Sequence, residues 1–390
     1  MSWQWAVFMN IATFRTKFQS NVSAVLHSRD RYPYWSLATP LFGASILYNA
    51  VSSLRHVLYA RNVLTTRSLP CKVISVGNIT VGGTGKTPMT INLVRLLQQM
   101  RCRVAVVSRG YKGTGEKNGA VVSDGQRILC SPRTAGDEPY LMACLLDNVP
   151  VVIGKDRYAA GERAMNRFRP DVIVLDDGFQ HRRLQRDLNL LLLDAKAPFG
   201  NRFLLPRGQL REPVSALKRA DAVILTRCDG IGPNHRRRIQ SLVHPRPLFS
   251  SQHKTVIRGI LPARQPCTPQ RIDFSEVSGH SVPDQRKIFA FCGLAANAQF
   301  FKSLKTIAGD IHGTMEFEDH HPYTPRDIER ILWAARHAGS NGFATTEKDY
   351  VRIPNGTCFP EDLFILGIDI DLLSDRIPWR RYVQSELDWP

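Results

Sequence analysis

Between residue 69 and about 250, short apolar runs alternate with longer stretches in which apolar residues recur every three or four positions. The runs fall at 73–76, 104–108, 151–153, 172–175, 188–193 and 222–226, each continuous rather than alternating. Continuous runs mark strands buried on both faces, and helical segments between them predict a parallel sheet covered on both sides. After the first run, Met89, Leu93, Leu96 and Leu97 recur at helical spacing. A smaller unit follows, with strands expected at 287–292, near 313–317, at 342–345 and at 363–370, and a helix at 325–337. Residues 251–270, rich in Pro, Arg, Gln and Thr, read as the connection between the two units.

The N-terminal pattern differs. Residues 1–29 contain Arg15, Lys17 and Arg29, hydroxyl residues, aromatics and no acid, the composition of an organelle transit peptide or of an ordinary basic helix. From residue 32 to 54 no side chain is charged, but Pro33, Pro40, Gly43 and Asn49 interrupt the stretch and weaken a membrane span. Leu47, Ala50, Val51, Leu54, Val57 and Leu58 instead form one stripe of an amphipathic helix, flanked by Arg55, Arg61 and Arg67. Such a stripe lies in a membrane interface or packs on the protein's own core. The expected divisions are thus 1–29 (leader), 30–68 (amphipathic segment), 69–255 and 256–390.

Composition sharpens this picture. The 390 residues are 43% hydrophobic, enough for two or three cored domains. The net charge of +18 is concentrated early: before Glu116 the only acid is Asp30, against fourteen lysines and arginines. An anionic partner is implied, a membrane surface or a phosphorylated substrate. No aromatic-rich basic strand or known binding module supports nucleic acid, so none is expected. The eight cysteines show no C-x-x-C pair and no histidine at zinc-ligand spacing, and read as reduced packing residues. Nothing in the chain signals an oligomeric state.

The chemistry is carried by Gly77-Asn78-Ile79-Thr80-Val81-Gly82-Gly83-Thr84-Gly85-Lys86-Thr87, placed between the first strand and its helix. This is the order of a nucleoside-triphosphate P-loop, whose backbone N–H groups and helix N-terminus cradle phosphates. Lys86 would reach the β/γ-phosphates and Thr87 would hold Mg²⁺, while Thr80 stands where the generic motif has glycine. The run 171–175 ends in Asp176 and Asp177, a Walker B form that can hold Mg²⁺ opposite Thr87. Gly136-Asp137-Glu138-Pro139 opens a helix; Asp137 suits either a base for a substrate hydroxyl or a helix cap. Glu318-Asp319-His320-His321 concentrates acid and imidazole, and one of its histidines could pair with a carboxylate. Thr226-Arg227-Cys228-Asp229 resembles the base-contacting T-K-x-D segment of P-loop GTPases, with arginine for lysine. A GTPase switch or metallochaperone is therefore the alternative to a kinase.

Together these stretches resemble the tetraacyldisaccharide 4′-kinase family from about residue 34 onward. The resemblance also rests on Ser108-Arg109-Gly110-Tyr111, Gly178-Phe179-Gln180-His181, Leu210-Arg211-Glu212-Pro213 and Thr346-Glu347-Lys348-Asp349. Thr80 at the generic glycine position is also a family feature. The resemblance implies an α/β fold: a P-loop NTPase-type parallel sheet with helices on both faces, plus a smaller C-terminal α/β domain. It implies transfer of the γ-phosphate of ATP, with Mg²⁺, to the 4′-hydroxyl of an acylated glucosamine disaccharide 1-phosphate. Residues 80–87 would hold ATP; Thr87, Asp176 and Asp177 the metal; and Asp137 with His320, His321 competing, would activate the hydroxyl. Arg109, Tyr111, His181, Arg211 and Glu212 would line the cleft, and the 32–67 segment would sit peripherally on a membrane. The leader implies a mitochondrial inner-membrane location, the alternative being the cytoplasmic face of a bacterial inner membrane.

Overall fold

The computed structural model describes residues 26, 36, 38–268, 286–295, 297–308, 310–373 and 378–388. The leader expected over 1–29 lies outside them, except for Leu26. The strands are β1 Lys72–Asn78, β2 Val104–Ser108, β3 Ala120–Asp124, β4 Pro150–Ile153, β5 Val172–Asp176 and β6 Leu188–Asp194. They continue with β7 Ala222–Thr226, β8 Leu248–Leu261, β9 Ile288–Cys292, β10 Ile311–Glu316, β11 Gly342–Thr346 and β12 Leu363–Leu372. Helices α1 Ala38–Ala60, α2 Lys86–Gln99, α3 Asp137–Leu145, α4 Arg157–Phe168 and α5 Pro233–Val243 belong to the first part. Helices α6 Asn297–Ala308, α7 Pro325–His337, α8 Glu347–Tyr350 and α9 Trp379–Glu386 belong to the second.

All the runs expected as strands are strands, and they join one sheet in the order β3-β4-β2-β5-β1-β6-β7-β8-β12-β11-β9-β10. From β4 to β8 neighbours are parallel, with β1 between β5 and β6. Helix α2 buries Met89, Ile91, Leu93, Val94 and Leu97 on one face, and α4 buries Ala160 and Ala164 on the other. The continuous apolar runs follow directly from this double covering.

Strand β8 sets how the two parts meet. Its first residues pair with β7 in parallel, Val223 with Leu248 and Leu225 with Ser250. From Ser251 onward it runs past the carboxyl end of β7 and pairs antiparallel with β12, Ser251 with Leu372 and Leu261 with Leu363. Strands β11, β9 and β10 are parallel to β12. The carboxyl ends of the second set therefore point back at the carboxyl ends of the first, where ligands of such sheets bind.

The connection expected over 251–270 is thus largely strand, and residue 255, the expected division, lies inside β8. Its polar residues hid the pattern. Arg258 is buried but ion-paired to Glu347 at 2.9 Å and Asp369 at 2.7 Å, which lets a charged residue occupy a strand interior. Strand β3, a short edge antiparallel to β4, was likewise illegible among polar neighbours.

The stripe of α1 does not pack on the core: Leu47, Val51 and Leu54 are 68%, 62% and 59% exposed. Its opposite face docks on the first lobe, where Tyr48 donates to the Arg211 carbonyl at 2.8 Å and His56 meets Glu212 at 2.9 Å. No helix among the described residues is long and apolar enough to cross a membrane.

Close backbone approach fixes the end of β1 against the turn after β5. A Cβ on Gly77 would lie 2.6 Å from the Phe179 Cβ and 2.8 Å from its backbone nitrogen. Gly77→Ala should lower stability by roughly 1–3 kcal/mol, read from denaturant midpoints; an unchanged midpoint would show that the turn yields freely.

Candidate active site

The loop after β1 forms a cradle built around a buried asparagine. The Asn78 amide donates to Thr84 Oγ1 at 3.0 Å and accepts from Lys86 Nζ at 3.4 Å, so it aims the lysine and holds the loop. Gly82 and Gly85 adopt φ of 108° and 85°, which side chains resist. Thr80, at the generic glycine position, is buried, bridges to Leu210, and is followed by Val81 donating to the Gln209 carbonyl at 2.7 Å. A Cβ on Gly83 would point into open space, and the buried Thr87 sits in the first turn of α2. Arg227 donates to the Gly83 carbonyl and to Asp194, both at 2.5 Å. The arginine of the T-R-x-D segment thereby ties the loop after β7 to the cradle.

Two carboxylates at the end of β5 face this cradle and differ in environment. Asp177, at φ 53°, lies 3.8 Å from Lys86 Nζ and 2.9 Å from Arg211 Nη1. Burial alone would raise its pKa, but Lys86 and Arg211 outweigh it and hold the group below the usual range. Asp176 is fully buried and accepts from Ser108 Oγ at 3.1 Å and Thr90 Oγ1 at 3.3 Å. Burial first, then Glu138 and Asp177, push it up to about 7.

Among the described residues no three His, Cys, Asp or Glu side chains form a self-contained metal cage. The oxygen donors beside the cradle are instead the Thr87 hydroxyl and the acids ending β5. This sparse oxygen set suits Mg²⁺, which keeps water and phosphate oxygens in its shell. A carboxyl pushed up to about 7 by burial and by neighbouring acids is also what a divalent cation would relieve, so the residues fit the ion.

The second lobe contributes an imidazole. His320 Nδ1 lies 2.8 Å from Asp137 Oδ2, with the side chains 26% and 18% exposed. Asp137 is the first residue of α3 after Gly136, so it is not the cap that the sequence also allowed. His320 has a φ of 64°, a left-handed conformation of the kind that clusters at functional sites. His321 turns away: its Nε2 lies 3.1 Å from Asp327, within the capping box of α7, and its ring stacks on Phe317.

The Thr346-Glu347-Lys348-Asp349 stretch, noted in the sequence only by resemblance, organises this junction. Asp349 accepts from the Gly293 backbone, Tyr323 Oη and Arg352 Nη2, each at 2.8 Å. The Arg352 Nε, nearly buried, then lies 3.6 Å from Asp137 Oδ2. Lys348 meets Glu138 at 2.8 Å. Lys348 first of all holds Glu138 below its usual range; burial opposes the charge on Lys348, yet Glu138 keeps it raised.

The remaining expected residues divide. Tyr111 is exposed, its ring 6.2 Å from that of His320, and Arg109 bonds Glu116 at 2.7 Å beside it. His181 is pushed down to about 3 by burial and by Arg157, and is neutral. Arg211 reaches Asp177, whereas the buried carboxylate of Glu212 is taken by His56 and Arg219 beneath α1. Sequence reasoning missed Arg157, buried at the start of α4: burial brings it down to about 10 against the pull of Asp176 and Asp177. It also missed His253 on β8, whose Nε2 would lie 2.6 Å from a Cβ on Gly85. Neither residue stands in a motif; only the fold brings them in.

Because Asp176 is raised from 3.8 to about 7, the folded protein holds a proton there that the unfolded chain has released. Stability from this group is full below about pH 4 and is lost as pH rises through 7. In metal-free protein, the melting-temperature gap between Asp176→Asn and wild type should therefore widen in favour of the variant from pH 4 to pH 7. A gap independent of pH would contradict this electrostatic picture.

Comparison with known proteins gives the site its context. The family model described as tetraacyldisaccharide-1-P 4′-kinase matches residues 37–385. A tetraacyldisaccharide 4′-kinase of Desulfatibacillum aliphaticivorans is 43% identical over 84% of this chain and 87% of its own length. One from Halothermothrix orenii is 37% identical over 93% and 96%. A crystal structure of LpxK from Aquifex aeolicus in complex with ATP superposes with a TM-score of 0.70 at 34% identity, covering 90% of this chain and 99% of that one. With its cradle, paired acids and Asp137–His320 contact all inside the matched region, the chain belongs to the tetraacyldisaccharide 4′-kinase family.

Proposed function

We propose that this protein transfers the γ-phosphate of ATP to the 4′-hydroxyl of an acylated glucosamine disaccharide 1-phosphate. The observation that carries the reading is the hydrogen bond of Asp137 to His320 across the two lobes, beside a P-loop and two carboxylates. Lys86 and the backbone of residues 80–87 bind the phosphates. Thr87, Asp176 and Asp177 would hold Mg²⁺, which would supply charge neutralisation for the phosphates.

His320 donates Nδ1–H to Asp137, which fixes the tautomer and leaves a lone pair on Nε2. The pair takes the proton of the acceptor hydroxyl as its oxygen attacks the γ-phosphorus, the bond from that phosphorus to the bridging oxygen of the β-phosphate breaks, and ADP leaves. Arg352 sets a buried positive charge beside Asp137 and steadies it. Arg211 and Lys86 flank Asp177, so positive charge is in position before the transferring group acquires its equatorial negative charge. Arg109 and Tyr111, at the rim near His320, orient the sugar.

The acceptor is amphiphilic, and the exposed stripe of α1 supports peripheral seating on a lipid surface. A groove of about 230 Å³ between α1 and residues 202–214, lined by Phe42, Ile46, Phe203 and Leu210, suits acyl chain. The acid-poor leader supports delivery to a mitochondrial inner membrane. Fractionation of cells expressing the tagged full chain tests this, and exclusion from mitochondria would overturn it.

Asp137→Ala and His320→Ala should each slow phosphoryl transfer by roughly 10² or more, with ATP affinity kept. Single-turnover rates with labelled ATP and the disaccharide lipid check this; near-normal rates would refute the pair. Separately, Leu47→Glu combined with Val51→Glu should weaken binding to lipid vesicles at least about tenfold, leaving ATP affinity intact. Undiminished vesicle binding would remove α1 from the membrane face.

A further inference from the structure

Beneath α1 lies a group of positive charges that the phosphate cradle does not use. Arg182 donates to the His56 carbonyl at 3.1 Å, and Arg186 to the His181 carbonyl at 2.5 Å. Arg219 stacks 4.5 Å above the Phe179 ring and bonds Glu212. Glu212 is also the partner of His56, so a single carboxylate is shared between an imidazole and a guanidinium. Asp221, the other acid acting on Arg186, is engaged by the backbone and side-chain nitrogens of Asn189. Three guanidiniums therefore face little compensating charge.

Their donors are also left over. Arg219 Nε and Nη1 and Arg186 Nε are buried with no hydrogen-bond partner among the described residues. Burial, then Arg219 and Arg182, bring Arg186 down to about 10. Buried N–H groups and unbalanced cations are each costly, and the two together are stable when an anion with several acceptor oxygens arrives. A planar guanidinium fork fits phosphate oxygens in pairs, and stacking on Phe179 fixes the orientation of one such fork.

Location decides which anion. The cluster adjoins α1 at His56, the helix with the exposed apolar stripe. It also adjoins the reacting centre, since Glu212 follows Arg211, which bonds Asp177. We infer that Arg182, Arg186 and Arg219 form a second anion site, which takes the phosphomonoester at the far end of the acceptor lipid and so sets the register of its 4′-hydroxyl. This rests on the acceptor proposed above. It makes the three arginines substrate-selecting residues that hold a different phosphate from the one transferred.

The test compares two acceptors in the same detergent micelles, the disaccharide lipid with its 1-phosphate and the same lipid without it. Arg186→Gln and, separately, Arg182→Gln should raise KM for the phosphorylated acceptor roughly tenfold or more. Both should leave KM for ATP, thermal stability and turnover of the dephosphorylated acceptor near wild type, and Arg186→Lys should recover part of the loss. Inorganic phosphate should compete with the phosphorylated acceptor in the wild type and less in the variants. Equal losses on both acceptors would mean the arginines only support the fold, and would overturn the site. Loss of binding to phosphatidylglycerol vesicles, with discrimination between acceptors intact, would assign the cluster to lipid headgroups and overturn it equally. If wild type phosphorylates the lipid but ignores the 1-phosphate, the site falls and the kinase stands. If it phosphorylates neither lipid, both fall.

Discussion

The antiparallel pairing of β8 with β12 is the constraint on which the rest depends. A parallel sheet gathers its ligand-binding loops at one edge, and a second parallel sheet appended in the same sense would leave its own loops facing elsewhere. Reversing direction once, between two long strands, turns the second set of loops toward the first. The reversal is held by ten paired positions and by Arg258, whose partners Glu347 and Asp369 lie on α8 and β12. Since Glu347 is followed by Lys348 and Asp349, the ion pair that closes the strand pair also sets the residues that reach Glu138 and Arg352.

Electrostatics explains why the junction needs contributions from both sides. The first lobe collects Asp137, Glu138, Asp176 and Asp177 at one place; burial and the neighbouring acids raise Asp176, while Glu138 and Asp177 are held down by cations. Apart from Asp176, these acids are held charged or hydrogen-bonded by Lys86 and Arg211 from their own lobe, and by Lys348, Arg352 and His320 from the other. Separating the lobes would leave the acids of α3 without partners, a costly state. The contact surface is therefore specific as well as chemically competent.

How much of this was legible in the sequence follows from the range of each interaction. The cradle, the paired acids and the parallel sheet depend on neighbours in sequence, and Gly82 to Thr87, Asp176 and the apolar runs announced them. His320 could be matched to Asp137 only through family resemblance, because 183 positions separate them. The choice between His320 and His321 needed the capping box of α7, which occupies His321. Strand β8 was hidden because Lys254 is exposed and Arg258 is buried only through its ion pairs with Glu347 and Asp369, so its periodicity resembles that of a polar connection. Arg157, Arg352 and the arginines beneath α1 carry no local signature; their meaning lies in what they face.

The central claim is that Asp137 and His320, from opposite lobes, act on the acceptor hydroxyl as one unit. A double-mutant cycle on the single-turnover rate tests it most directly, with Asp137→Asn, His320→Gln and the combination. Residues acting as a unit are strongly non-additive, so the double variant should be about as slow as the slower single variant. A double variant slowed by the product of the two single effects would show that the residues work independently, and would contradict the account.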